Sequence, residues 1–226
     1  MVNKNLVVSI ENLKNDIIDM MEQCAKLIDM SLVSIINRDV ELAKKVIDLD
    51  DEVDNLRVYI IDKSVRLIAL KQPVARDLRL IYSLGYMALD LERIGDYSVN
   101  IAEKSLKLVE EDDIEPLGDI VRMRDMCISM LYEVEKALKG NDAKAAYSSA
   151  NHDDVLDDLY KRAYKEIVKN MHKDDQMTPK ERLAGFFSNK PIDRIPILPF
   201  VTSVSGKVAG MTHKEKRSCA KNQARA

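Results

Sequence analysis

Tryptophan is absent from the 226-residue chain, phenylalanine occurs three times, and glycine and proline number only seven and six. An aromatic share of 5% with so few turn-forming residues disfavours β-sandwiches and barrels, which need a turn every few residues. Cysteine is scarce too. Cys24, Cys127 and Cys219 are odd in number and lack paired spacing, which excludes a disulfide framework and fits a reducing compartment. No apolar run reaches the roughly 18 residues that a membrane-spanning helix needs. The opening stretch MVNKNLVVSIENLKNDIIDM carries charges where a signal peptide would be apolar. What is present is 46% hydrophobic and 32% charged residues, a mixture that argues against disorder and for long amphipathic helices. The expectation is an all-α, cytoplasmic protein.

The net charge of −3 conceals a division. Residues 177–226 hold ten Lys/Arg and three Asp/Glu (+7), whereas residues 1–176 hold 25 and 35 (−10). All three Phe, four of the six Pro and three of the seven Gly fall in the later segment, and all eight Tyr in the earlier one. A boundary at 176/177 follows from these shifts in composition.

Within the first segment, apolar residues recur in steps of three and four: Leu6, Ile10, Leu13, Ile17, Met20, Cys24, Leu27, Leu32, Ile35. That spacing marks one face of a helix. Asn37-Arg38-Asp39 interrupts it, and Asp39 suits an N-cap. A second helix runs to about Gln72, where Pro73 must stop it. Pro73 is expected in the first turn of a third helix that continues to about Ala102. Each helix is about 30 residues, or about 45 Å, long, and short connections make the three antiparallel. Residues 1–110 are therefore expected to form a three-helix unit, followed by an acidic linker, EEDDIEPLG, at 110–118.

The pattern then restarts. A shift of 103 positions aligns Met20 with Met123, Cys24 with Cys127, Asp39 with Asp142 and Ala43 with Ala146. It also aligns Asp50 with Asp153, Asp51 with Asp154, Asp54 with Asp157, Leu56 with Leu159 and Val65 with Val168. Nine identities without a gap over positions 20–65 make this an internal repeat. Its third helix would begin near 176, but the chain there reads MTPKERLAGFFSNKPIDRIPILPF, with four prolines and no matching apolar face. The expected architecture is tandem antiparallel three-helix bundles: a complete unit at 1–110, a second unit at 117–176 cut short after two helices, and an irregular tail at 177–226.

Candidate chemistry lies in acidic pairs one helical turn apart. Glu92 and Asp96 form such a pair on the third helix, and Asp50 and Asp54 on the second. Carboxylates at i,i+4 share a face and repel when ionised, so a cation between them relieves the arrangement. Two pairs on packed helices form a carboxylate cluster, whose hard oxygens suit Mg, Ca, Mn or Fe; the competing reading is a solvated acidic face. Gly95 is unfavourable inside a helix by about 1 kcal/mol relative to Ala, and close packing or room for a ligand accounts for it. Arg76, Arg79 and Arg93 read as surface ion-pair partners. Cys24 and Cys127 read as small core residues, and His152, His172 and His213 lack metal-ligand spacing. No nucleophile or phosphate-loop motif occurs, so no enzyme is expected.

Three stretches, DVELAKKVIDLDDEVDNL (39–56), LIALKQPVARDLRLI (67–81) and LDLERIGDYSVNIAE (89–103), resemble the PhoU family of phosphate-transport regulators. The resemblance covers residues 1–176 and implies two tandem three-helix bundles. It also implies metal ligation by the family's pattern of an acid followed four residues later by Asp: Asp50/Asp54, Glu92/Asp96 and, in the second repeat, Asp153/Asp157. The implied ion is iron, zinc or magnesium. The implied role is a cytoplasmic, homodimeric negative regulator linking the ATPase subunit of a phosphate ABC transporter to a sensor histidine kinase, at the membrane only through those partners and without nucleic acid. Residues 177–200 are similar instead to the amino-terminal opening of the uroporphyrinogen decarboxylase and corrinoid methyltransferase family, whose catalytic residues lie downstream of anything present here. Two other readings follow from this tail and the short repeat: a fusion product acting as a helical dimerisation module, or a piece of a methyltransferase.

Overall fold

The computed structural model describes residues 4–108 and 118–171, with side chains through 167. These residues form six helices: α1 (Lys4–Asn37), α2 (Val40–Lys71), α3 (Ala75–Leu108), α4 (Gly118–Gly140), α5 (Ala143–Ala150) and α6 (His152–Met171). Most of the acidic linker, and the tail from 177 onward, lie outside the described residues. No strand occurs among the described residues, and none of their helices is long and apolar enough to cross a membrane. The all-α expectation holds.

Helices α1–α3 close around one core built from the predicted stripes. Leu13, Ile17, Met20 and Leu27 of α1 meet Val46, Val53 and Ile60 of α2 and Ile81, Leu84 and Leu91 of α3, all buried. A smaller core joins the second repeat to the first: Ile120 and Met123 of α4 and Leu156, Leu159 and Ala163 of α6 close against Leu32 and Ile35 of α1. Helix α1 is thus buried on two sides. Arg124 reaches Asp29 (3.3 Å), and Lys14, 4% exposed, donates to Asn141 Oδ1 (2.7 Å), so α4 runs antiparallel to α1.

The repeat is visible in the turns themselves. Arg38 and Asn141, 103 positions apart, take positive φ values of 53° and 52°. After each, the next N–H reaches back five residues, Asp39 to Ser34 O and Asp142 to Ala137 O, both at 2.9 Å. This left-handed closure satisfies the last helical carbonyls. Each Asp then caps the following helix: Leu42 N–H donates to Asp39 Oδ1 (2.9 Å), and Lys144 and Ala145 N–H donate to Asp142 Oδ1.

Two expectations are corrected. Pro73 does not open α3; it follows Gln72, which ends α2 in the left-handed region (φ 47°, ψ 52°) with its N–H on Ile68 O, and α3 starts at Ala75. A proline just after a left-handed cap blocks continuation of the old helix rather than starting the new one. The second helix of the second repeat is not continuous but breaks at Asn151, whose N–H turns back to Ser148 O (3.1 Å). Ser148 and Asn151 are residues whose side chains favour turns over helix, and the Ser149 hydroxyl is turned to Met130 O of α4 (3.4 Å), whereas α2 at the matching point carries Val46, Ile47 and Leu49, packed on the core.

Candidate metal centre

The first repeat gathers its acids where α2 crosses α3. Asp50, Asp54 and Glu92 are half-buried and Asp96 is exposed. Burial, followed by the charges of Asp96, Asp54 and Glu92, pushes the Asp50 carboxyl up to about 6. Burial and Asp96 likewise raise Glu92, opposed by Arg57. The two predicted pairs therefore do converge across the helix interface.

Gly95 explains how they fit. A Cβ at this position would overlap Asp50 Oδ1 and lie 3.4 Å from Val53 Cγ1. The missing side chain is what lets the α2 carboxylate sit against the α3 backbone. Cys24 is fully buried, its Sγ donating to Leu91 O (3.3 Å). Burial, reinforced by Asp50, drives that thiol far above its usual range, so it stays protonated and packs as a small apolar group.

Arg57 is the residue that spacing did not single out. Its Nε stands 3.7 Å from Asp54 and 3.5 Å from Glu92, buried and without a hydrogen bond. Arg57, with Arg93 also acting on Glu92, leaves the four carboxylates in excess, a negative charge that a hard cation relieves. The donor set suits such an ion in charge and in oxygen chemistry. Among the described residues no three His, Cys, Asp or Glu side chains close on one point.

The second repeat reproduces half of this arrangement. Asp153 and Asp157 lie on α6 as Asp50 and Asp54 lie on α2, and the leading aspartate, Asp153, again acts on a cysteine, Cys127. Burial, then Asp153, pushes the Cys127 thiol up to about 12. Asp153 Oδ1 is buried without a hydrogen-bond partner. Burial and Asp153 raise Asp157, with Lys161 opposing. No helix of the described residues faces them as α3 faces α2, and Tyr160 occupies the position of Arg57. The cysteine paired with each leading aspartate could have been found in the sequence, because both members of the pair recur at the 103-residue shift.

Comparisons with known proteins match both repeats. The family model described as "PhoU domain" matches residues 17–105 and 120–195. Its second match runs past the compositional boundary at 176/177, into the stretch compared above with methyltransferases. The accessory protein PhoU homologue of the phosphate-specific transport system of Aquifex aeolicus is 34% identical over 159 residues, 70% of this chain and 72% of that protein. The Escherichia coli accessory protein PhoU is 27% identical over 186 residues, 82% of this chain and 77% of that protein. The crystal structure of PhoU from Pseudomonas aeruginosa superposes with a TM-score of 0.70 at 30% identity, covering 74% of this chain and 80% of that one. A Streptococcus pneumoniae phosphate transport regulatory protein, at 22% identity and a TM-score of 0.75, shares the fold.

Proposed function

The chain belongs to the PhoU family, and from that premise we propose that it is an accessory protein of a phosphate transport system that restrains phosphate uptake and starvation signalling. The observation that carries this reading is the family match across both repeats, to relatives named for phosphate-specific transport. The protein acts by docking and performs no turnover. Its helix faces engage the ATPase subunit of a phosphate ABC transporter and a sensor histidine kinase when phosphate is plentiful, with the chain working as a homodimer in the cytoplasm.

In this reading Asp50, Asp54, Glu92 and Asp96 hold a hard cation (iron, zinc or magnesium), which supplies the positive charge that lets four carboxylates share one face. Arg57 supplies part of that charge already, Gly95 keeps the Asp50 carboxylate against α3, and Asp153 with Asp157 offers a second, half-formed set. Two measurements test the reading separately. A phosphate-replete pull-down with folded protein is expected to recover the transporter ATPase or the kinase, and recovery of neither removes the adaptor role. Elemental analysis of the Glu92→Ala/Asp96→Ala chain is expected to show lowered metal content, and unchanged metal retires the cation site while leaving the adaptor role standing.

A further inference from the structure

The turn between α2 and α3 carries the two most exposed aliphatic side chains among the described residues, Leu70 at 78% and Val74 at 75%. The turn that presents them is fixed: Gln72 is left-handed, and Pro73 is buried. Ten large aliphatic side chains are exposed among the described residues, and six of them, Val7, Val8, Val65, Leu70, Val74 and Leu78, lie at this end of the bundle. Lys63 of α2 pairs with Asp16 of α1, so the last turns of α2 stand beside the first turns of α1. Tyr82 and Tyr86 follow along α3, both exposed, with ring centroids 5.6 Å apart. Single exposed aliphatics are ordinary on a surface, but a concentration of them at one end marks a contact with something apolar.

The same end is positively charged. Lys14 donates to Asn141 Oδ1, which brings the α4–α5 junction to it as well. Residues 4–16, 62–79 and 135–144 together hold ten Lys/Arg and six Asp/Glu, a net +4, which leaves −14 for the rest of residues 1–176. Four of the six acids are paired within this end: Glu11 with Lys14, Asp16 with Lys63, Asp62 with Arg66 and Glu135 with Lys139. Of the other two, Asp142 caps α5 with its Oδ1, and Asp77 sits in the first turn of α3, where the helix dipole attracts it. Against these two stand six exposed basic side chains, among them Lys71, Arg76 and Arg79 close to Leu70 and Val74.

We propose that this end of the bundle is a contact surface for an anionic phospholipid bilayer, with Leu70 and Val74 entering the headgroup region and Lys71, Arg76 and Arg79 meeting the lipid phosphates. Apolar side chains sunk about 5–10 Å into the headgroup boundary, with basic ones at the surface, hold a peripheral protein on such a membrane. Long basic side chains lay their stems along the apolar layer and keep their charge at the phosphates. Leu78 lies about 6 Å and Tyr82 about 12 Å along α3 from Val74, which sets Tyr82 at the interfacial level that tyrosine favours. A bundle standing on this end holds the Glu92 and Asp96 carboxylates about 30 Å from the lipid, its acidic remainder turned away from a surface of the same sign. The chain makes this contact by itself, so the proposal goes beyond the adaptor reading and does not rest on it.

The test floats the intact chain with vesicles of phosphatidylcholine alone or of phosphatidylcholine mixed with phosphatidylglycerol. Binding is expected to the mixed vesicles only, weakening at least about tenfold as salt rises from about 0.1 to 0.5 M. Leu70→Ser with Val74→Ser alters no core residue and should weaken binding at least about tenfold. Lys71→Gln with Arg76→Gln and Arg79→Gln should do the same, and circular dichroism checks that both variants fold. The chain has no Trp, so Leu70→Trp gives a lone reporter. Its emission should shift to the blue on mixed vesicles and be quenched by brominated acyl chains, whereas Ile36→Trp, exposed at the opposite end, should do neither. Binding to neither vesicle, equal binding to both, or an unquenched Leu70→Trp overturns the proposal. So does binding that survives the hairpin variants but is lost with Lys214→Gln, Lys216→Gln and Arg217→Gln, which places the lipid contact in residues 177–226. Each of these failures leaves the phosphate-replete pull-down as it was, so the adaptor reading is judged apart from this one.

Discussion

The two repeats carry the same cysteine–aspartate pair on differently completed supports. In the first, Asp50 acts on Cys24 and meets Glu92, Gly95 and Asp96 across the interface. In the second, Asp153 acts on Cys127 but has no opposing helix among the described residues, and one buried oxygen is left without a hydrogen bond. A carboxylate pair on one helix is only half of a cation site; the other half comes from packing a third helix with a glycine at the crossing. The same contrast runs through the cores. The first three helices bury a continuous apolar column, whereas α4 and α6 complete a smaller one by borrowing Leu32 and Ile35 from α1.

Methionine truncation tests that contrast most strongly. Met20 and Met123 are equivalent in the repeat and equally inaccessible, 0% and 1% exposed. Met20→Ala should cost about 3 kcal/mol, because the closed three-helix core cannot collapse around the gap. Met123→Ala should cost about 2 kcal/mol and open α4–α6 to hydrogen exchange while α2 and α3 stay protected. Denaturant melts with exchange mass spectrometry distinguish the two, and equal losses with global opening in both would make the repeats one cooperative unit.

How much of this was legible beforehand follows from what each feature depends on. The long helices, the Asp39 and Asp142 caps and the repeat are local patterns, and the turn geometry at Arg38 and Asn141 matches them residue for residue. The acid pairs were legible as pairs, but the role of Gly95 was not, because the atom it admits, Asp50 Oδ1, is 45 positions away. Arg57 was passed over because its two partners lie on different helices. Arg76 and Arg79 read as scattered surface charges until the packing of α1, α2 and α4 gathered other basic and exposed apolar residues at the same end. The break at Asn151 depends on weak local competition that a well-packed neighbour could have overridden, as it does along α2.

A smaller effect concerns protons. The Asp50 carboxyl titrates near 6 when folded against an ordinary 3.8, so the folded state binds the extra proton between those values. Stability should therefore fall as pH rises from about 4 to 6 and stay level above that range. Asp50→Asn should remove this slope and stabilise the metal-free chain at pH 7 by about 1 kcal/mol, a figure discounted for solvent screening at a half-exposed group. Asp157→Asn should act in the same direction but less, because Lys161 already offsets part of the repulsion there. Adding magnesium should narrow the difference between wild type and Asp50→Asn at pH 7, since a bound cation competes with the proton. Thermal melts across pH 4–8 measure all three, and a flat wild-type profile would mean that Asp50 is better solvated than its neighbours imply.

The smallest effect compares the two caps. Asp39 accepts one N–H and opens a 32-residue helix packed on the main core. Asp142 accepts two N–H groups yet opens a helix of only eight residues. Counting bonds alone, Asp142→Ala should be the more damaging change. Cooperativity argues the reverse for the global transition. Fraying of α2 pulls on Ala43 and Val46, which are wholly buried, so Asp39→Ala should lower global stability by about 0.5–1 kcal/mol. The only buried residue of α5 is Ser149, so that helix can open alone, and Asp142→Ala should speed amide exchange across residues 143–150 while shifting the global midpoint less. If the two alanine variants instead lower the midpoint equally, α5 is coupled to the core as firmly as α2, and the second repeat is more complete than its broken helix implies.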